Sequence, residues 1–419
     1  MDAGAQKTIS LSFLMIKNKI FYSPLKIFLV VVYYLPSTKS SAKLIHDLAL
    51  EFKDRGHDVT VITPSESIQA DSEIDNIEGI KVLRVKTGKI DGASKIPRTI
   101  NELLLSYKIW QKGKSYFKLN PCDLVVYYSP TIFFGALVKK IKQVYGSSSY
   151  LILRDIFPQW ALDTGVLKKG LIFKFFQKKE LDQYNAADII GVQSPANLNY
   201  FHEKGWDKKF KLEVLYNWTK VEEPALPFFN YREKLGLQGK VVFFYGGNIG
   251  VAQDMDNLLR LAESLKCASR AHFLFVGSGS EVNRIKEEIK NNNLTNVTLL
   301  EAVGQKEYLS MLSEFDVGLI SLDRKIKTPN FPGKMLGYMY FSMPILASIN
   351  EGNDLKLILE DSNAGLVTIN GNDKPLFDNA LSLCQDKDLR IKIGANSKHL
   401  LQSTFSVVKT ADQILSHFQ

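Results

Sequence analysis

The chain has 419 residues, a length that fits two to three domains, each large enough for its own core. Hydrophobic residues make up 45% and charged residues 23%, which excludes a disordered or fibrous chain. The net charge of +9 is unevenly spread, and a basic surface suits nucleic acid, acidic lipid or a pyrophosphate-bearing substrate.

Residues 1–25 contain apolar pieces, but Lys17 and Lys19 interrupt them and no small-residue cleavage site follows. They read as an N-terminal extension or a membrane-touching arm rather than a signal peptide. The apolar run 27–36 is one strand long, far short of the ~20 residues a membrane span needs. Residues 26–34 predict a strand, 35–41 a polar loop, and 42–55 a helix with Ile45, Leu48, Ala49 and Phe52 on one face. Strands follow at 58–63, 80–85, 123–128, 150–154, 188–192 and 211–216, with helical stretches between most of them. Glu222, Glu223, Pro224 and Pro227 then mark an interdomain linker. A second series has strands at 241–244, 272–276, 297–300, 317–321, 344–348 and 365–368. Helices at 375–384, 387–395 and 397–417 close the chain. This alternation predicts an α/β fold of two doubly wound domains with a ligand cleft between their strand ends.

Two loops in the second half follow apolar runs and open helices: Tyr245-Gly246-Gly247-Asn248-Ile249-Gly250 and Val276-Gly277-Ser278-Gly279-Ser280. Such a unit aims backbone N–H groups at a phosphate from the positive end of a helix, and glycine lets the backbone approach closely. The same residues also suit an ordinary tight turn. A third loop, Pro329-Asn330-Phe331-Pro332-Gly333-Lys334, ends on a lysine at a helix start. A cation there opposes the helix dipole, so an anionic partner would give it a reason; simple solvation is the alternative. Lys325 and Lys327 are second choices. Tyr338, on the same helix, faces either a sugar or the core. Arg154 and Asp155 end an apolar strand, where open α/β sheets hold ligands; a structural ion pair is the alternative.

Ile100, Leu103, Leu104, Tyr107 and Trp110 share one helical face beside Lys108, Lys112 and Lys118. Leu171, Ile172, Phe175 and Phe176 do the same beside Lys174, Lys178 and Lys179. These faces either pack into the core or meet anionic lipid. The six histidines are dispersed and Cys122, Cys267 and Cys384 read as small buried residues, so no metal site is expected. No Gly-x-Gly-x-x-Gly follows the first strand, which argues against a dehydrogenase. The aromatic residues fall on helix faces rather than an RNP-like strand, which argues against nucleic-acid binding.

Four segments occur in order: 26–41, Leu153-Arg154-Asp155-Ile156-Phe157-Pro158-Gln159-Trp160, Gly247-Asn248-Ile249-Gly250, and Pro332-Gly333-Lys334-Met335-Leu336 leading to Pro344-Ile345-Leu346-Ala347. Together they resemble bacterial GT-B glycosyltransferases of family 4, in the branch that builds O-antigen and capsule units and includes L-fucosamine transferases. The resemblance implies an acceptor-binding Rossmann-like domain at 26–217, a nucleotide-sugar-binding one at 218–396, and a helix at 397–419 that returns to the first domain. It implies a UDP-sugar donor, such as one carrying the deoxyhexosamine L-FucNAc, and a polyprenyl-pyrophosphate-linked sugar acceptor. It also implies no cofactor, and a cytoplasmic enzyme lying on the inner face of the plasma membrane.

Under that resemblance Gly247, Asn248, Gly250, Gly277, Ser278, Gly279, Val303, Gly304, Asn330, Pro332, Gly333 and Tyr338 bind the donor, with Val303 and Gly304 beside the base. Ser40, Ser41 and Arg154 lie on the acceptor side. Asp155 and Lys334 carry the chemistry, the lysine by stabilising the departing diphosphate. The chain departs from the family pattern in three places. Of two glutamates seven residues apart, the second falls at Gly337 and the first near Pro329. The basic pair expected after the Gly-Asn-x-Gly loop is replaced by Val251-Ala252-Gln253-Asp254. Ser37, Thr38, Ser40 and Ser41 stand where a glycine-rich turn is expected. Two alternatives remain: a UDP-sugar 2-epimerase of the same fold, which needs acid–base groups where only Asp155 stands, and a catalytically degenerate UDP-binding scaffold.

Overall fold

The computed structural model describes residues 23–37, 39–90, 95–163, 165–221, 229–325 and 331–418. Eight strands form the first sheet: β1 Lys26–Val30, β2 Asp58–Ser65, β3 Ser72–Ile77, β4 Ile80–Lys86, β5 Leu124–Tyr128, β6 Ser148–Leu153, β7 Ile189–Val192 and β8 Leu212–Val214. Their order is β3-β4-β2-β1-β5-β6-β7-β8. Six form the second: β9 Val241–Asn248, β10 Ala271–Ser278, β11 Val297–Leu300, β12 Val317–Ser321, β13 Ile345–Ile349 and β14 Gly365–Ile369. Their order is β11-β10-β9-β12-β13-β14. Every pairing is parallel except β3 with β4.

The central strands are apolar on both faces because helices cover both faces. In β1, Phe28 and Val30 enter one core and Ile27 and Leu29 the other. In β9, Val242 and Phe244 face one helix layer, while Val241, Phe243 and Tyr245 face the opposite one. Each such side chain contributes about 1.5–3 kcal/mol of burial. Strand order reverses between β1 and β5 and again between β9 and β12. Open α/β sheets form ligand crevices outside the strand C-termini at such points.

The first sheet has an antiparallel edge that the alternating pattern does not predict. Only Ser72, Ile74 and Ile77 interrupt the charged and amide side chains of β3 (Ile74 is 64% exposed), so β3 carries no apolar alternation. Strong left-handed turn positions at Glu78 and Gly79 fold it back onto β4. Expected helices at 387–395 and 397–417 also differ. Helix Lys387–Thr404 is continuous, with Gly394 packed so closely on Ser342 that a Cβ would lie 2.0 Å from its carbonyl oxygen. A short break at Phe405 and Ser406 precedes helix Val407–Leu415, which packs on helix Ser40–Asp54 of the first sheet. Arg55 ties them together, donating to Glu51 at 2.8 Å, Asp412 at 2.7 Å and the Val408 carbonyl at 2.8 Å. The expected linker at 222–227 lies outside the described residues. Cys267 is exposed, unlike Cys122 and Cys384.

Candidate active site

β9 and β10 run side by side to their C-terminal ends, so Gly247 is opposite Gly277 and Asn248 opposite Ser278. The fit is close. A Cβ on Gly277 would lie 1.8 Å from the Gly247 carbonyl oxygen, and one on Gly279 would lie 2.2 Å from that of Ile249. These two glycines therefore let two loops touch, apart from any ligand. Gly247 itself has φ +122°, a conformation that other residues rarely adopt. Gly250 is buried and extended, and a Cβ there would meet the Asn248 amide at 2.9 Å and the Gln253 amide oxygen at 3.2 Å. That amide oxygen accepts from Asn248 Nδ2 at 2.7 Å and from the Gly250 N–H at 3.2 Å. A neutral amide pair thus organises the loop at the place where a basic pair is absent.

Gly247, Asn248, Gly277, Ser278 and Val303 line a cavity of 460 Å3, closed by Val276, Ala302, Gln305 and Tyr308. None of these side chains is charged. Gly304 starts the adjoining helix Gln305–Glu314 as its N-cap and leaves open space around it.

Lys334 begins helix Lys334–Tyr340 and sends its ammonium group over the Tyr245 ring, 3.5 Å from the centroid. It would lie 3.8 Å from a Cβ on Gly247. Among the described residues its nitrogen has no hydrogen-bond or ion-pair partner, and burial pushes its pKa down to about 7. Tyr338 is completely buried, so it is not a sugar contact. Its hydroxyl accepts from the Gly246 N–H at 3.2 Å and donates to the Leu319 carbonyl at 3.3 Å, which holds the glycine loop from beneath. Pro332 and Gly333 lead into the Lys334 helix, whereas Asn330 and Lys327 lie outside the described residues. Lys325, together with Gly250, lines a second, polar cavity of 710 Å3.

On the first sheet, β6 ends at Leu153, and the Ser129 hydroxyl accepts from the Arg154 N–H at 3.0 Å and the Asp155 N–H at 3.3 Å. Arg154 turns inward and lies over the Trp218 ring, 5.5 Å from its centroid, donating to the Tyr216 carbonyl at 3.3 Å. Its Nε is buried without a partner among the described residues, and burial lowers its pKa. No ion pair with Asp155 forms, so the structural pairing expected as an alternative does not occur. Asp155 points outward; the surrounding protein raises its pKa, and Arg154 partly offsets that. Ser41 is buried at the start of helix Ser40–Asp54, and the side chain of Ser40 lies outside the described residues.

The two sheets meet beside these residues. The Tyr216 ring lies 5.6 Å from Phe331, three positions before Lys334, while the Tyr216 carbonyl holds Arg154. The Asp354 carboxylate accepts from the Ala196 N–H at 2.7 Å across the junction. Sequence reasoning missed Tyr308 and Asp354. It gave Tyr245 and Gln253 no role of their own, placing Tyr245 only at the head of the glycine loop and Gln253 only as a neutral residue in a stretch expected to be basic.

The basic aromatic helices bury other residues (Leu105, Ile109, Phe117 and Phe173) and leave much of the expected apolar face outside the core. The expected single helix breaks into Lys95–Leu103, Leu105–Lys112 and Lys114–Leu119. Ile100, Leu103, Leu104 and Tyr107 face solvent, and only Trp110 turns inward to stack on Phe117. Leu171 is 85% exposed, and Ile172 and Phe175 are exposed beside it. Phe176 instead packs on Phe133 and Phe157. Among the described residues no helix is long and apolar enough to cross a membrane.

Comparison with known proteins gives the site its context. Residues 228–400 match the family model of glycosyl transferases, group 1. That segment contains the glycine loops, the uncharged cavity and Lys334. The probable glycosyltransferase WbjE of Pseudomonas aeruginosa is 26% identical over 232 residues, 54% of this chain. The match spans 57% of WbjE, a little over half its length. Anabaena HepE, solved in complex with UDP and glucose, superposes with a TM-score of 0.64 at 15% identity, covering 94% of this chain and 99% of HepE. WaaG, a glycosyltransferase involved in lipopolysaccharide biosynthesis, superposes with a TM-score of 0.60 at 14% identity, covering 93% and 99%. The fold is that of the GT-B glycosyltransferases.

Proposed function

We propose that this protein transfers a sugar from a UDP-linked donor to a hydroxyl of a lipid-pyrophosphate-linked acceptor in bacterial surface polysaccharide assembly. The donor sugar is an N-acetylated deoxyhexosamine such as L-FucNAc. The observation that carries the reading is Lys334, a half-buried amine without a partner among the described residues, held over Tyr245 and facing Gly247 within the group 1 segment. The base occupies the uncharged cavity at Val303 and Gly304, and the diphosphate lies against Gly247, Asn248 and Gly277. Lys334 stabilises charge as the diphosphate leaves, an electrostatic role that grows in the transition state. Asp155 receives the acceptor hydroxyl's hydrogen bond or proton from the opposite sheet. HepE with UDP and glucose supports the donor class, and WbjE and WaaG support the setting.

The exposed apolar side chains Ile100, Leu103, Leu104 and Tyr107, with Leu171, Ile172 and Phe175 of helix Leu171–Tyr184, stand among lysines and form the face that rests on anionic lipid, where the acceptor is anchored. The cleft holds no histidine or carboxylate pair of the kind an epimerase requires among the described residues, so transfer is the better reading. The test is a panel of UDP-sugars incubated with extracted lipid-linked acceptor. Transfer from one of them supports the reading. A folded protein that neither binds UDP nor consumes any UDP-sugar refutes it.

A further inference from the structure

The diphosphate site has an unusual charge balance, which rests on the donor reading above. Its cavity is lined without a charged side chain. The residues after the glycine loop contribute a neutral amide pair, Asn248 and Gln253. The amine of Lys334 is the basic group facing Gly247, and it sits in an aromatic setting. On the helices packed against the Lys334 helix, Glu307 is engaged by Tyr231, Glu314 by Arg232, and Lys398 by the Tyr340 carbonyl. Three tyrosines stand nearest the amine: Tyr245 of β9 under it, and beside that ring Tyr338 of its own helix and Tyr308 of helix Gln305–Glu314. Burial raises the pKa of all three, so they stay uncharged and offer the amine no counter-ion. Among the described residues no carboxylate acts on it either; burial accounts for its lowered pKa of about 7. An amine without a counter-ion in a desolvated site favours its neutral form, and an arriving dianion reverses that preference.

We propose that the donor diphosphate enters a cavity lined, among the described residues, without a charged side chain, and that its binding draws a proton from solvent onto the Lys334 amine, so that donor binding is proton-linked. The proton comes from water or buffer, and no bond in the donor breaks at this step. Above about pH 7 the positive charge needed at the leaving group is then gained largely with the diphosphate. Linkage sets the sign. The bound form has the higher lysine pKa, so affinity falls as pH rises above the pKa of the empty site.

The test is calorimetric titration of the full-length protein with UDP at about pH 8, in buffers of different ionisation enthalpy. A phosphate whose second pKa is about 6 is already ionised there. UDP-N-acetylglucosamine, which has no titrating phosphate, serves as the second probe. The expected uptake is about 0.9 proton per UDP, because a group with a pKa of about 7 is roughly nine-tenths neutral at that pH. Affinity should fall about tenfold per pH unit between roughly pH 7.5 and 9. Lys334→Arg keeps a permanent charge and should bind UDP with no uptake and a flat pH profile. UDP binding by the wild type without buffer-dependent heat, at an affinity independent of pH, overturns the proposal and leaves the donor reading standing. Failure of both ligands to bind at any pH overturns the donor reading and the proposal with it.

Discussion

Glu180 lies on the inner face of helix Leu171–Tyr184 and is completely buried. One carboxylate oxygen accepts from Tyr184 and Tyr200, each at 2.9 Å, and the other is buried without a partner among the described residues. Burial pushes its pKa up to about 7, outweighing the two tyrosine hydrogen bonds and Lys204, which pull it down. The folded state therefore holds this proton more tightly than the unfolded chain does, whose carboxyl titrates near 4.5. Stability from this group is complete below the unfolded pKa and is lost as pH rises through about 7. A shift of this size corresponds to about 3 kcal/mol at 1.36 kcal/mol per unit. Glu180→Gln keeps an oxygen for both tyrosines and removes the charge that burial penalises. Scanning calorimetry of both proteins between about pH 5 and pH 8 reads the difference. Near pH 5 their melting temperatures should agree. Near pH 8 the variant should melt roughly 6–12 °C higher, at 2–4 °C per kcal/mol for a domain of this size. Equal loss of melting temperature in both proteins over this range would refute the burial reasoning.

Four further outcomes are expected. Lys334→Ala should weaken UDP binding near neutral pH, flatten its pH dependence, and in addition lower turnover at saturating donor by about 10²–10³-fold, because charge stabilisation counts most in the transition state; unchanged turnover at saturating donor would count against that role. Asp155→Asn should reduce turnover by about 10²-fold or more with an unchanged melting temperature, the scale of a proton-transfer group; a fully active variant removes Asp155 from the chemistry. Tyr338→Phe leaves the buried Gly246 N–H without its acceptor and should cost about 1–3 kcal/mol in thermal unfolding; no loss would mean that the loop is held by other contacts. Changing Lys174 and Lys178 to Glu should release the protein from phosphatidylserine vesicles in sedimentation at physiological salt, where charges are felt over about 8 Å. Lys179 is left alone because it already pairs with Asp182 at 3.7 Å. Undiminished sedimentation would remove the lipid face.

Residues 241–244 and 272–276, the runs before the glycine loops, could be recognised as buried strands because a strand covered on both faces must be apolar at every position. The local code of turn residues likewise placed the glycine loops at strand ends, and that code is a property of neighbours in the chain. Strand β3 escaped because an edge exposed to water needs no apolar alternation. The face Ile100, Leu103, Leu104 and Tyr107 has the same spacing whether it packs inward or meets solvent, since helical period records one-sidedness and not what covers the side. The same holds for Tyr338, whose place between Gly246 and Leu319 depends on segments far away in sequence. Lys334 was visible as an ill-placed cation. Its neutral surroundings were not, because desolvation and the Tyr245 ring come from β9, and only folding brings them to the amine. The chain alone determined the strands, the loops and the candidate groups. The packed structure decided which of those groups face the cleft, which hold it up from behind, and what charge they carry there, because burial and electrostatic environment are set by residues distant in sequence.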